Sequence, residues 1–447
     1  MNKDLYRDLL FWGIWLLIPL LIDILSGIVS LIVILKEYFR KEKVELEYLP
    51  YITILIPVYN SEKTLANCIQ SILDQNYPIK NIQVLLINNG EKNGVYDIYC
   101  KIQEQHPNLK IWWIDSNQGK SKALNKGIYA AEGKYIINID SDGILDKNAV
   151  LRIVEKFESN TNIHAMTGVV LTDCSLINTN SNLLLRLFRR CELFEYSEAF
   201  LVGRGFQSYT DSLFTLAGAF SCFRKDVIQK TQLYNSETLG EDTHITSQIR
   251  EFQNGKIALC EKAFFYVDPI DSMDKLYIQR QRWQRGEIEV ASLFRKFIGG
   301  RNRNTRKVLK RTVIKDHTLV FPRLIWMFAM VYLVFIDYPL ELVIMANILL
   351  YLAYVFNSAL SFFVSKLYLK DQKEVKKYMN KHAYSILLLP FYRLVIFFMR
   401  VAGIINSIEK YSKWNTKTLT EEKEILSNGF KRKFSIFYRV KGWINNG

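Results

Sequence analysis

At 447 residues the chain is longer than one compact core usually fills, which predicts two or three structural units. Hydrophobic residues make up 49% but gather toward the two ends, leaving a middle of ordinary soluble composition, which counts against a polytopic transporter. The formal charge of +15 concentrates between Arg295 and Lys315 and at Lys431, Arg432 and Lys433, beside apolar runs. With no nucleic-acid-binding motif in the chain, that placement points to an anionic lipid surface and not to nucleic acid.

The first apolar run, Leu9 to Leu35, is interrupted mainly by Pro19 and Asp23. A helix needs roughly 20 apolar residues to cross a bilayer core, whereas a cleaved signal peptide has an apolar core of about 7–15. Lys36, Arg40, Lys41 and Lys43 follow directly, so the run predicts a retained anchor (1–36) with the next domain on the cytoplasmic side. After a polar linker, Tyr51–Pro57 predicts a buried strand, and Glu62–Gln75 a helix capped by Ser61. Val84–Ile87, Lys110–Ile114 and Tyr135–Ile139 predict further strands, with a helix over Ser121–Ala131. Strands alternating with helices imply a mostly parallel, doubly wound α/β sheet, which binds ligands beyond the carboxyl ends of its strands.

The predicted domain spans 50–297. Its second half holds strand signals at Thr167–Leu171 and Lys256–Leu259, and helix signals at Asn182–Phe200, Asp242–Phe252 and Ser272–Phe297. A basic interfacial segment (298–318) leads to apolar runs at about Leu319–Ile336, Leu340–Val364 and Ser385–Ile405, which form a transmembrane or interfacial unit (319–406) ahead of a basic cytoplasmic tail (407–447). Pro390, Arg393 and Arg400 mark the last run as re-entrant or interfacial, so three spans are expected rather than four. The six cysteines are scattered, as buried thiols in a reducing compartment are, and the five dispersed histidines give no zinc pattern.

Polar motifs fall at the predicted strand ends: Pro57-Val58-Tyr59-Asn60, Asn88-Asn89-Gly90 and Asp140-Ser141-Asp142. Asp140 and Asp142, on one side of an extended chain, are hard oxygen ligands suited to Mg2+ or Mn2+; a solvated acidic turn is the plainer alternative. Gly240-Glu241-Asp242 opens a helix, where an acidic N-terminus is common, yet a positioned carboxylate is also what an attacking hydroxyl needs to lose its proton. In Gln279-Arg280-Gln281-Arg282-Trp283, Arg282 offers a planar fork for phosphate and Trp283 a face for a sugar ring. A basic interfacial helix is the alternative there.

In this order the motifs resemble those of the membrane-integrated, processive family-2 glycosyltransferases, the synthases of poly-N-acetylglucosamine, hyaluronan, chitin and cellulose, over about Tyr51 to Leu293. The resemblance implies a GT-A fold of Rossmann-like type and inverting transfer from a nucleotide-sugar, of UDP type, to a growing glycan. It implies Asp242 as catalytic base and Asp140 and Asp142 as metal ligands. Pro57, Tyr59, Asn89, Lys120, Asp140, Gln279 and Arg282 would bind the donor, and Glu241 and Trp283 the acceptor. Gly119-Lys120 through Asn125 and Ala217-Gly218-Ala219-Phe220 also match family segments. Asn88-Asn89-Gly90 departs from the family's Asp-Asp-Gly, removing two carboxylates from the expected base site. The expected partners are the donor, a glycan or lipid-linked acceptor, the bilayer and a subunit for export. Transfer of one sugar to a lipid carrier, and a catalytically silent binding protein, are the competing readings.

Overall fold

The computed structural model describes residues 11–13, 16, 19–39, 46–90, 94–294, 308, 318–336, 338–409 and 418–424. Most of the expected basic segment 298–318 and tail 407–447, and parts of the anchor and the linker after it, lie outside the described residues.

A π-helical turn, Leu20–Leu25, leads into α1 (Ser26–Tyr38). Next come β1 (Ile52–Val58), α2 (Leu65–Leu73), β2 (Ile82–Asn89), α3 (Val95–Gln105), β3 (Lys110–Ser116), α4 (Lys120–Ala130), β4 (Tyr135–Ile139), β5 (Gly143–Leu145), α5 (Ala149–Ser159) and β6 (Ile163–Thr172). The chain continues through α6 (Leu183–Tyr196), a second π turn (Ser197–Gly203), α7 (Arg204–Tyr209), β7 (Phe220–Arg224), α8 (Lys225–Ile228), α9 (Glu241–Gln253), β8 (Lys256–Val267) and α10 (Met273–Leu293). Among the described residues there follow α11 (Val320–Phe335), α12 (Leu340–Tyr368), α13 (Lys373–Lys381) and α14 (Ser385–Glu409).

The eight strands form one sheet, ordered β3-β2-β1-β4-β7-β6-β8-β5. Every residue of β1 is buried, because its two faces feed two cores. Ile52, Ile54, Ile56 and Val58 pack with Leu65, Ile69 and Ile72 of α2, while Leu55 joins Leu124 and Ile128 of α4 and Ile245 and Ile249 of α9. At about 1.5–3 kcal/mol per fully buried aliphatic side chain, this two-sided burial holds β1 at the centre of the sheet. β1, β2, β3 and β4 run parallel, so the ends carrying Tyr59, Asn88-Asn89 and Asp140 lie along one edge. The doubly wound expectation holds for that half; β7 then enters antiparallel between β4 and β6, making the sheet mixed.

The register of β4 is fixed by a buried polar knot. Thr53 Oγ1 donates to Gln83 Oε1 at 2.6 Å, Gly133 N donates to Thr53 Oγ1 at 2.9 Å, and Glu132 N donates to Gln83 Oε1 at 3.0 Å. Ser61 does not cap α2 as expected: its hydroxyl lies 2.6 Å from Ser141 Oγ, joining the loop after β1 to the loop after β4.

Two helical stretches, Leu340–Tyr368 and Ser385–Ser407, are long and apolar enough to cross a membrane by length and composition, and α11 is shorter. The charges near the apolar helices are paired, as burial away from water requires: Arg323 pairs with Asp23, which also accepts from Tyr354 Oη at 2.7 Å. Arg393 pairs with Glu198, and Arg400 Nε donates to Gln284 Oε1 at 2.6 Å. The two arginines that marked the last run as atypical therefore face the sheet domain.

Gly133 sits with its Cα over β1, where an added Cβ would collide with the backbone of Ile52 and Thr53. Gly133→Ala is expected to destabilise the domain by about 1–3 kcal/mol or more, read as a lowered thermal midpoint of the purified full chain.

Candidate active site

The strand ends are knitted together by side chains. Asn89 Oδ1 accepts from Gly119 N at 2.5 Å, which brings the end of β2 to the start of α4. Gly119 holds φ at +129°, a conformation that favours glycine, and this bend presents Lys120 to the end of β4. Lys120 Nζ meets Asp140 Oδ1 at 2.5 Å and donates to the carbonyl of Gly218 at 3.3 Å. Asn88, in register with Asp115, donates to Asp115 Oδ1 at 3.0 Å. Pro57 is the penultimate residue of β1, and Val58 joins it to Tyr59, whose ring is exposed and whose N–H reaches Ser61 Oγ at 3.3 Å.

Asp142 is exposed at its surface, yet its carboxyl is pushed up to about 6, first by the protein packed around it and then by the charge of Asp140. Two neighbouring carboxylates that resist sharing negative charge fit a divalent cation, which removes that conflict. Among the described residues no group of three or more His, Cys, Asp or Glu side chains forms a metal cluster. A cation at Asp140 and Asp142 would therefore complete its shell from a ligand or water.

Asp242 stands in the first turn of α9. Burial and the neighbouring Glu241 raise its carboxyl well above the ordinary range; Lys120 and Arg204 act in the opposite sense. Its Oδ1 has no hydrogen-bond partner among the described residues. The carboxylate rests on Gly218, where any Cβ would collide with Oδ2. Gly218 is held there because Leu216 N donates to Thr246 Oγ1 and Ala217 N to Thr167 Oγ1, each at 3.1 Å. Lys120 thus stands among Asp140, Asp242 and Glu241; burial works against its charge, but the three carboxylates hold the ammonium well above its usual value.

Helix α10 crosses the start of α9 backbone to backbone: a Cβ on Gly240 would lie 2.7 Å from the carbonyl oxygen of Gly286. Glu289 Oε2 secures the crossing by accepting from Leu239 N at 2.9 Å. This explains why glycine precedes Glu241, where a larger residue would force the helices apart. Of the predicted α10 residues, Gln279 is half-buried, and Arg282 and Trp283 are exposed. Within the motif the buried cation is Arg280, paired with Glu195 Oε2 at 2.5 Å and 4.6 Å from the Trp283 ring. Trp283 also packs against Phe200 and Tyr196. The structure thus joins Tyr59, Asn89, Lys120, Asp140, Asp142, Glu241 and Asp242 around one crevice. Trp283 lies on the adjoining wall, beside Phe200 and Tyr196.

Residues 53–231 match the model of glycosyl transferase family 2. This chain carries a family-2 glycosyl transferase domain. The poly-beta-1,6-N-acetyl-D-glucosamine synthase of Staphylococcus epidermidis is 27% identical to it over 314 residues, 70% of each chain. The synthase of the same name from Staphylococcus aureus strain COL is 24% identical over 251 residues, 56% of this chain and 58% of the relative. Among solved structures, a mannosyltransferase from Pyrobaculum calidifontis in complex with GDP-Man and Mn2+ aligns with a TM-score of 0.52 and 13% identity, over 89% of this chain and 99% of that one. The likeness is one of fold, and the transferase domain is of the GT-A class. The family match includes Asp140 and Asp142 and ends before Asp242 and α10.

Sequence reading of the transferase domain missed the Gly240–Gly286 crossing, the Asn88–Asp115 contact and Arg204. Each depends on residues far apart in the chain, and no local spacing marks them. Gly218→Ala is expected to leave the domain folded and to displace Asp242, lowering glycosyl transfer by about 10²-fold, the scale of a misplacement near 1 Å. Initial rates of nucleotide release with a sugar acceptor check this.

Proposed function

We propose that this transferase moves a sugar, of the N-acetylhexosamine class, from a UDP-sugar to a hydroxyl of a growing glycan at the membrane, inverting the anomeric centre. One observation carries the reading: Lys120, Asp140, Gly218 and Asp242 meet at a single point beyond the strand ends. The family-2 domain supports sugar transfer. The N-acetylglucosamine polymer is taken from the names of the staphylococcal relatives.

In this reading Asp140 and Asp142 would hold Mg2+ or Mn2+, which when bound would neutralise charge on the departing diphosphate. Tyr59, Pro57 and Asn89 hold the base, and Lys120 keeps Asp140 in place beside the phosphates. Asp242 Oδ1, which has no hydrogen-bond partner among the described residues, accepts the proton of the acceptor hydroxyl. The acceptor's hydroxyl oxygen, not the carboxylate, bonds to the anomeric carbon as the bond to the diphosphate breaks on the opposite face. Gln279 and Arg282 steady the diphosphate, and Glu241 and Trp283 position the acceptor. Rate enhancement comes from positioning and from charges fixed in advance.

The apolar helices support a bilayer location, with the transferase domain on the cytoplasmic side where nucleotide-sugars are made. Glu198, Gln284 and Glu195 bind Arg393, Arg400 and Tyr392 of α14, which favours an interfacial helix lying on the domain. With so few spanning helices, export of a polymer calls for a partner subunit.

Asp242→Asn tests the assignment. Transfer is expected to fall by about 10²–10⁴-fold, the usual contribution of a general base, while UDP binding by calorimetry stays near the wild-type value. In the wild type, the rate should fall on the acid side at a pH above the ordinary aspartate range near 4, because the raised carboxyl must be ionised to take a proton. Undiminished turnover in the variant excludes Asp242 as the base.

A further inference from the structure

We propose that Arg204 orients the acceptor sugar, its Nη1 donating to a hydroxyl or acetamido carbonyl oxygen of the sugar whose hydroxyl Asp242 deprotonates. This rests on the transfer reading above and assigns a residue to its acceptor side.

The π turn Ser197–Gly203 runs directly into α7, and such wide turns change the face on which following side chains emerge. Phe200 and Arg204 end up stacked, with the guanidinium carbon 4.5 Å from the ring centroid. Phe200 meets Trp283 at 6.1 Å and Tyr196 at 4.8 Å, so three rings from two helical segments form one wall. Trp283 keeps 40% of its surface exposed, the half-open state of a ring waiting to cover an apolar sugar face. Arg204 is the polar end of that wall.

Its surroundings separate it from the donor side. The charges that act on Arg204 are those of Asp242 and Glu287, whereas those acting on Asp142 are Asp140, Lys120 and Asp268. Among the described residues, Nη1 of Arg204 is buried with no hydrogen-bond partner, and so is Oε1 of Gln207 one turn further along α7. A buried donor and a buried acceptor without partners, next to an aromatic wall and a carboxylate, match a neutral sugar, which presents both hydroxyl donors and oxygen acceptors. A phosphate would satisfy the arginine alone and would be repelled by Asp242.

The same segment borders the apolar helices. Gly205 lies against Ile34, where an added Cβ would come within 2.7 Å of its Cδ1, and Val202 packs with Leu31, Ile34 and Val364. A glycan held at the membrane would therefore reach the carboxylate past Arg204.

The test uses the full chain in nanodiscs, with UDP-N-acetylglucosamine as donor and a short β-1,6-linked N-acetylglucosamine oligosaccharide as acceptor. UDP release is measured with acceptor and, for slow hydrolysis by water, without it. Arg204→Gln is expected to raise the acceptor KM at least tenfold, with UDP binding within about twofold of wild type and hydrolysis likewise when both proteins are compared at a pH high enough to ionise Asp242. Arg204→Lys retains the charge but not the planar fork, and is expected to raise the acceptor KM severalfold with an unchanged pH profile of hydrolysis. It carries the test if the glutamine variant fails to fold. An unchanged acceptor KM in a folded variant overturns the proposal. So does hydrolysis that falls in step with transfer, which would place Arg204 on the donor or make it a tuner of Asp242. A wild-type chain that releases no nucleotide from any sugar donor sinks the transfer reading itself, and this proposal with it.

Discussion

One ammonium group among three carboxylates sets the terms for the rest of the crevice. Asp140, Glu241 and Asp242 come from the end of β4 and the start of α9, which are far apart in sequence, and their mutual repulsion opposes bringing them together. Lys120 stands between them, in direct contact with Asp140 and through the Gly218 carbonyl with the segment beneath Asp242. The chain delivers that lysine by the bend at Gly119 and the bond from Gly119 N to Asn89. Loss of either would move the cation, and the carboxylates would then lower their repulsion by taking up protons.

Close backbone approach is the second constraint. Gly218 lets the Asp242 carboxylate rest against the main chain, and Gly240 with Gly286 lets α10 lie directly on the start of α9. Helix α10 in turn carries Arg280, whose bond to Glu195 and contact with Tyr392 fasten α6 and α14 to the same body. Movement of the C-terminal helices would thus be felt at the acidic turn through a short series of packed and paired residues.

Much of this was legible in the sequence where the signal is local. β1, β2 and β4 are continuous apolar runs ended by polar residues, so both the strands and the motifs beyond them could be located. Asp140, Asp142 and Asp242 stood out through the order of the motifs along the chain, because each acidic motif alone reads equally as a solvated turn or a helix N-terminus. β7 was missed because Phe220–Arg224 is five residues long and its antiparallel pairing is set by β4 and β6. α3 and α5 were passed over although Val150, Ile153, Val154 and Phe157 follow helical spacing. Arg282 was favoured over Arg280 by motif alone; burial reverses their structural weight, since only packing distinguishes two arginines on one helix. Ser61 looked like a cap but bonds across to Ser141, a contact made by tertiary structure. The same holds for Arg204, whose neighbours Phe200 and Asp242 are brought to it by a π turn and by a helix that begins more than thirty residues later.

The most direct measurement is a cryo-electron microscopy map of the full chain bound to a non-hydrolysable UDP-sugar analogue and Mn2+. We expect the diphosphate and cation at Asp140 and Asp142, and the anomeric carbon between them and the Asp242 carboxylate, with that carboxylate on the face away from the leaving group. A nucleotide bound anywhere that leaves Asp242 on the diphosphate side, or out of reach of the sugar, contradicts the account.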